Sequence, residues 1–252
     1  MALVLDIADD ATRPKTGVSV VIPVLNEEEA IGRVISALQR EAVDEIIIAD
    51  GGSQDATVAI AKARGARVID AGKGYGRACL EGVKAMRDGC PIVVFMDGDG
   101  SDMPSELPRL VAPLLADTHD FVIASRTRGR REPGSMAWHQ LAAGWAIGSL
   151  VGLTCGFRYS DMCAFRAIQY ETLLGLDMRE TTYGWNLEMQ MKAALADLRI
   201  IEIPVPHGRR LGGRSKVAGS LRGTLMAGGR ILVVLARILW TAHARDADTG
   251  MR

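Results

Sequence analysis

A short apolar run that stops abruptly on aspartates constrains this chain more than any other stretch. Residues 92–102 read Ile-Val-Val-Phe-Met-Asp-Gly-Asp-Gly-Ser-Asp, so the run Ile92–Met96 is followed by Asp97, Gly98, Asp99 and, beyond, Asp102. An apolar run without alternation is a strand covered on both faces, as in a parallel sheet between two layers of helices. Open sheets of that kind bind ligands outside the carboxyl ends of their strands. Two carboxylates one residue apart, with a glycine that lets both bend toward one point, suit a hard divalent cation that also grips a diphosphate. A solvated Asp-Gly turn is the bland alternative. A calcium loop fails on register, because Asp102 stands where glycine is needed and Pro108 where the closing glutamate belongs.

The same arrangement recurs upstream. Val18–Val24 is apolar and leads through Asn26-Glu27-Glu28-Glu29 into a helical pattern, and Glu45-Ile-Ile-Ile-Ala-Asp50 closes on an aspartate before Gly51-Gly52-Ser53-Gln54-Asp55. Gly72-Lys73-Gly74-Tyr75-Gly76-Arg77 then opens a further helix. The predicted order is strand 18–24, helix 27–40, strand 45–49, helix 55–64, strand 67–70, helix 75–88 and strand 91–96, with Pro104 in a first helical turn. Strand 121–125, an arginine-rich loop 126–134, a helix to about 153, a short irregular strand 157–166, helix 183–196, strand 199–205 and a long helix 217–241 follow. Strands alternating with helices predict an α/β, Rossmann-like fold whose mostly parallel sheet is flanked by helices. Its strand-terminal polar clusters share one crevice.

A chain of 252 residues with 48% hydrophobic residues suits one domain with an appendage. Lys plus Arg and Asp plus Glu number 30 each, so no global charge points to nucleic acid. Cys79, Cys90, Cys155 and Cys163 are scattered and read as small core residues of a reduced, cytoplasmic protein. The four histidines show no zinc spacing. The N-terminus carries Asp6, Asp9 and Asp10 rather than a signal-peptide pattern. Residues 1–16 and 244–252 read as loose tails.

Two stretches suggest contact with a membrane surface without spanning it. Leu141–Phe157 is uncharged but about 17 residues long, short of the roughly 20 needed to span. Gly144, Gly148, Gly152 and Gly156 recur every fourth residue, a spacing that serves a homodimer as readily as a bilayer. Leu225–Trp240 is interrupted by Arg230 and Arg237. With Arg222 these fall on one side of an amphipathic C-terminal helix, 218–243, which lies flat on an anionic membrane or packs on the domain.

The order of motifs resembles the family 2 glycosyltransferases and their GT-A fold. Pro23 with Asn26-Glu27, Asp50-Gly-Gly-Ser-Gln-Asp55, Gly72-Lys73-Gly74 and Asp97-Gly98-Asp99 match, in order, that family's nucleotide- and metal-binding stations. The resemblance covers roughly residues 17–217, read as a donor half 17–125 and an acceptor half 126–217. Within the family the chain looks most like the polyprenol-phosphate (dolichol-phosphate-like) sugar synthases. That likeness rests on Ala124-Ser-Arg126, Asp161-Met-Cys-Ala-Phe-Arg166 and Arg210-Leu-Gly-Gly-Arg-Ser215-Lys216. Cys163 departs from the Ser or Gly often found there, and no spanning helix anchors a lipid product.

The resemblance implies a hexosyltransferase that uses Mg2+ or Mn2+, a nucleoside-diphosphate sugar and a polyprenyl phosphate, with inversion at the anomeric carbon. It implies Asp50 and Glu27 at the base or ribose, and Asp99, with Asp97, at the metal, Asp97 also supporting sugar or ribose. Asp50 reads alternatively as a turn-initiating residue before Gly51-Gly52, and Glu27 as part of an acidic first helical turn. Lys73 and Arg77 fall by a glycine-rich turn that brings backbone N–H groups near phosphate. A phosphate-monoester acceptor is already anionic and needs charge compensation rather than a general base. Arg126, Arg128, Arg130 and Arg131, then Arg209, Arg210, Arg214 and Lys216, supply it. Arg126, Arg131, Arg210, Ser215 and Lys216 are therefore candidate acceptor ligands. Asp161 is a base for an acceptor hydroxyl or a strut for the arginine loop. Glu188, in Trp185-Asn-Leu-Glu188, is the other base candidate, or contacts sugar or core. A soluble phosphorylated acceptor is the alternative with the same donor chemistry. A nucleotidyltransferase lacks its phosphate loop here, and a silent nucleotide- or membrane-binding protein is the remaining rival.

Overall fold

The apolar runs become strands of one seven-stranded sheet: β1 (Val18–Val24), β2 (Glu45–Asp50), β3 (Arg67–Asp70), β4 (Ile92–Phe95), β5 (Phe121–Ser125), β6 (Arg166–Gln169) and β7 (Ile200–Pro204). The computed structural model describes residues 17–212, 229 and 233–240. Strand order is β3-β2-β1-β4-β6-β5-β7. Every neighbouring pair is parallel except β4–β6 and β6–β5. Every residue of β1, β2, β4 and β5 is buried, as unbroken apolar runs require of strands covered on both faces.

Helices α1 (Ile31–Leu38), α2 (Thr57–Ala63), α3 (Tyr75–Lys84), α4 (Leu107–Leu115), α5 (Trp138–Cys155), α6 (Tyr170–Gly175) and α7 (Trp185–Leu195) connect the strands. In α1 the residues Ile31, Val34, Ile35 and Leu38 recur at helical spacing and are all buried. Gly82 of α3 comes so close to the sheet that a Cβ there would meet Val21.

Three elements depart from the sequence expectation. Helix α1 begins at Ile31 rather than 27, because Asn26 adopts a left-handed conformation (φ 52) and Glu27–Ala30 form a separate turn. The irregular strand expected over 157–166 is instead a loop followed by β6. Ser160 donates to Glu202, and Asp161 is committed to Arg126, so that segment cannot join a ladder. The ladder starts at Arg166, opposite Phe95. Helix α6 was not anticipated.

Of the C-terminal helix, residues 233–240 are described and helical. Val234 and Ile238 are buried in the core, and Arg237 donates to the fully buried Glu180 at 3.2 Å, so this part packs on the domain. Arg222, Arg230, Ser215, Lys216, Arg214 and both tails lie outside the described residues. Among the described residues no helix is long and apolar enough to cross a membrane.

Candidate active site

The carboxyl ends of β1, β2 and β4 converge, and their loops are tied by side chains suited to turns. Asn26 accepts a hydrogen bond from the Gln54 N–H (2.8 Å), and its own N–H donates to Ser53 Oγ (2.9 Å). The Glu27 N–H donates to Thr57 Oγ1 at 2.8 Å. Asp50 bends back on its own loop and accepts from the N–H groups of Gly52 and Ser53 at 3.1 and 3.0 Å. The loop after β3 sits against the segment before α7, since a Cβ on Gly74 or Gly76 would meet the carbonyl oxygens of Thr181 and Glu180.

The aspartate turn after β4 holds a dense group of acids. Asp99 is 4% exposed, and its Oδ1 accepts from the N–H and hydroxyl of Ser101 at 2.8 and 2.6 Å. Asp102, equally buried, accepts the Asp97 N–H at 3.3 Å and lies 3.6 Å from His207 Nδ1. Burial, then the charges of Asp99 and Asp102, raise the Asp97 carboxyl to about 7 against the opposing pull of Arg126 and Arg210. Arg210 compensates part of this charge: its Nη1 lies 2.7 Å from Asp99 Oδ2 and its Nη2 2.9 Å from Glu27 Oε1. The loop that carries Arg210 is laid along the turn by two backbone bonds, Gly208 N–H to the Ser101 carbonyl and Leu211 N–H to that of Asp99.

Arg126, on the cavity wall, forms a two-pronged ion pair with Asp161, which is not itself on that wall, with Nε and Nη2 at 2.9 and 2.8 Å from the two carboxylate oxygens. The N–H groups of Arg126 and Met162 also donate to that carboxylate. Burial favours the neutral acid, but the Arg126 charge and these hydrogen bonds outweigh it and hold Asp161 below the ordinary carboxylate value. Asp161 is thus a strut for Arg126. A carboxylate so occupied is poorly suited to collecting a proton.

Between the walls lies a cavity of about 710 Å³. Of the residues singled out from the sequence, Pro23, Glu27, Lys73, Asp97, Asp99, Arg126 and Arg210 line it. Asn26 lines a smaller adjoining recess with Glu27. Asp50 is not on the cavity wall, although Gly51 and Gly52 beside it are. Arg77 and Arg131 are exposed outside it. Glu188 is not brought to the cavity at all. It is 1% exposed, accepts from the N–H groups of Arg179 and Glu180, and pairs with Lys192 at 3.0 Å.

Several wall residues are not among the candidates read from the sequence. Tyr75, Ser135, Gln140, Tyr183 and His207 line the cavity. Tyr75 follows the glycine turn and was legible as a neighbour. Tyr183 and His207 arrive by tertiary packing from distant loops, which no local pattern announces. Ser135 Oγ and Arg210 Nε are buried with no hydrogen-bond partner among the described residues, so the walls retain unused polar capacity.

These acids fit a divalent cation held by few protein oxygens. Among the described residues no group of three or more potential ligands converges as a closed cage. An excess of carboxylate beside an open cavity is the donor set of a cation whose shell is completed by phosphate and water.

Known proteins agree with this architecture. The glycosyl transferase family 2 matches residues 19–174. An uncharacterized glycosyltransferase of Mycobacterium tuberculosis is 36% identical over 214 residues, 83% of this chain and 94% of the relative. The undecaprenyl-phosphate mannosyltransferase of Micrococcus luteus is 30% identical over 221 residues, 81% of this chain and 88% of that protein. Among solved structures, glucosyl-3-phosphoglycerate synthase of Mycobacterium tuberculosis, in complex with Mn2+, UDP and glucosyl-3-phosphoglycerate, superposes with a TM-score of 0.65 at 25% identity, covering 90% of this chain and 80% of that one. The strand-end acids, the arginine pair and these similarities converge on one conclusion: the chain belongs to glycosyl transferase family 2 and is a glycosyltransferase with the GT-A fold.

Proposed function

We propose that the chain moves a hexose from a nucleoside-diphosphate sugar of the GDP-mannose or UDP-glucose type to a polyprenyl phosphate, with inversion. The observation that carries this reading is the placement of Asp97 and Asp99 and of Arg126 and Arg210 on the walls of one cavity. Residues 17–125 handle the donor and 126–217 the acceptor. The Asp50 loop and Glu27 receive base and ribose, and Lys73 faces the diphosphate. Asp99, with Asp97, would hold Mg2+ or Mn2+, which when bound supplies Lewis-acid stabilisation of the departing diphosphate.

Arg126, fixed by Asp161, and Arg210 orient the acceptor phosphate. One of its oxygens bonds to the anomeric carbon from the face opposite the leaving group, as the bond from that carbon to the diphosphate oxygen breaks. The nucleophile carries no proton at neutral pH, so no general base is required. Arginine forks match the planar oxygens of a phosphate in two-pronged fashion. The likeness to the undecaprenyl-phosphate enzyme supports this acceptor. A peripheral location at the cytoplasmic face of a membrane belongs to the same reading.

The likeness to a phosphoglycerate glucosyltransferase favours a second reading, a soluble phosphorylated acceptor met by the same arginines. Incubation with labelled UDP-glucose or GDP-mannose, Mn2+ and either vesicles containing polyprenyl phosphate or free 3-phosphoglycerate separates them. Label extracted into organic solvent is expected. Label only in the aqueous acceptor overturns the lipid reading.

A further inference from the structure

Helix α5 holds 18 residues without one Asp, Glu, Lys or Arg. A helix apolar all round belongs in a core or a lipid phase, yet α5 lies on the surface. Trp138, Trp145 and Leu153 are 79%, 64% and 86% exposed. With the exposed Ala142 and Ala146 they fall within an arc of about 100° of the helix.

Two of the four spaced glycines are used within the chain, whereas Gly144 and Gly156 have open space at their Cβ positions. A Cβ on Gly148 would meet the carbonyl oxygen of Tyr159, and one on Gly152 would come within 2.9 Å of Arg158. Their close approach serves the chain's own 157–160 segment. The exposed arc carries Trp138, Trp145 and Leu153, with Ala142, Ala146 and Ser149 between them.

Charge identifies the occupant. Arg128, Arg130 and Arg131 are exposed just before α5, and Arg158 is exposed just after it, with its guanidinium 5.9 Å from the Trp145 ring centre. An uncharged helix bearing tryptophans and bracketed by arginines is complementary to the boundary between acyl chains and anionic headgroups. Its N-terminal end is also continuous with the cavity, since Ala137 and Gln140 line the wall.

We propose that the outward face of α5 seats the protein flat on an anionic lipid bilayer, bringing the cavity mouth to the membrane surface. The inference rests on the polyprenyl-phosphate reading and gives it a delivery route. The face carries tryptophans at interfacial depth, and the flanking arginines contact headgroups.

The wild-type chain and the Trp145→Gln/Leu153→Gln double variant are tested by co-sedimentation with phosphatidylcholine vesicles, with and without about 30% phosphatidylglycerol, a composition chosen to give an anionic surface. Both residues are exposed, so an unchanged thermal melt checks that the variant folds. Partition of the wild type onto anionic vesicles is expected, with a loss of about tenfold in the variant. Quenching by brominated lipid, in a Trp138→Phe/Trp240→Phe background whose remaining tryptophans are Trp145 and the buried Trp185, should be present and should be lost when Trp145 is also replaced. Equal partition of wild type and variant overturns the proposal. So does a wild-type dimer in sedimentation equilibrium that the variant abolishes, since a second copy then covers the face. A water-soluble, short-chain isoprenyl phosphate separates this outcome from the parent reading. A variant that keeps transfer to that acceptor and loses it with vesicle-borne acceptor supports the seat. Wild-type transfer to neither isoprenyl acceptor rejects the acceptor assignment itself.

Discussion

The Arg210 guanidinium lies 2.7 Å from Asp99 Oδ2, so the loop proposed to meet the acceptor also neutralises the carboxylate proposed to hold the cation. The same side chain reaches Glu27 on the β1 loop, and the two halves of the crevice are joined through one positive charge. A divalent cation approaching Asp99 must compete with that charge. Arg210→Gln is therefore expected to strengthen Mn2+ binding in the absence of nucleotide by roughly tenfold, the order of one charge-assisted hydrogen bond. Turnover with a phosphate acceptor should fall by at least about tenfold for the same reason. Isothermal titration and steady-state kinetics read the two effects separately. Loss of turnover with unchanged Mn2+ affinity would remove the competition from the account.

The acidic group also sets a pH dependence. Asp97 is raised to about 7, whereas an unfolded aspartate titrates near 3.8. Between those values the folded protein holds a proton that the unfolded chain has lost, so this group makes stability fall as pH rises from about 4 to 7. Asp97→Asn is expected to flatten that part of a melting-temperature profile. In the proposed site Mn2+ would take the place of the proton, so its affinity should rise through pH 7 with proton release, read by titration in buffers of different ionisation enthalpy. A wild-type profile no steeper than that of the variant contradicts the assignment.

Much of this site could be read from the chain because it is built on unbroken apolar strands. Val18–Val24, Glu45–Asp50 and Ile92–Phe95 each end in their polar cluster within a residue or two, so order along the chain maps onto order along the sheet edge. The acceptor side was less legible. Asp161 could be named but not assigned, because only three-dimensional proximity commits both its oxygens to Arg126. Glu188 looked available beside Trp185, yet burial and the N–H groups of Arg179 and Glu180 consume it. Strand β6 eluded prediction because its four residues, Arg166–Gln169, include a buried arginine whose side chain donates to the carbonyls of Cys163, Ala164 and Asn186. Composition alone argues against an interior strand there.

Asp161 is expected to act through Arg126. Asp161→Asn removes the charge that pairs a largely buried guanidinium, a loss that costs about 3 kcal/mol where such pairs are broken from one side. The wild-type carboxyl is held low, so its contribution is present above the unfolded value near 3.8 and disappears as pH falls through the folded one. Urea denaturation of wild type and variant should differ most at neutral pH and converge in acid. A difference that persists undiminished in acid contradicts the ion-pair explanation.

The glycines of α5 give a geometric test of how the helix is docked. A methyl group on Gly148 would collide with the Tyr159 carbonyl, while Gly144 has open space around its Cβ position. Gly148→Ala should destabilise the protein by about 2 kcal/mol, as overpacking does. Gly144→Ala should be neutral or stabilise it by up to about 1 kcal/mol through helix propensity. Chemical denaturation measures both, and equal effects would mean that α5 is not seated on the 157–160 segment.

The most direct test of the central claim is nucleoside-diphosphate binding measured by titration with and without Mn2+, in the wild type and in Asp99→Asn. The expected result is that Mn2+ strengthens UDP or GDP binding to the wild type at least about tenfold, and that the substitution abolishes this gain while leaving metal-free binding in place. Tight nucleotide binding indifferent to Mn2+, or a gain that survives in Asp99→Asn, would contradict a cation held at the end of β4.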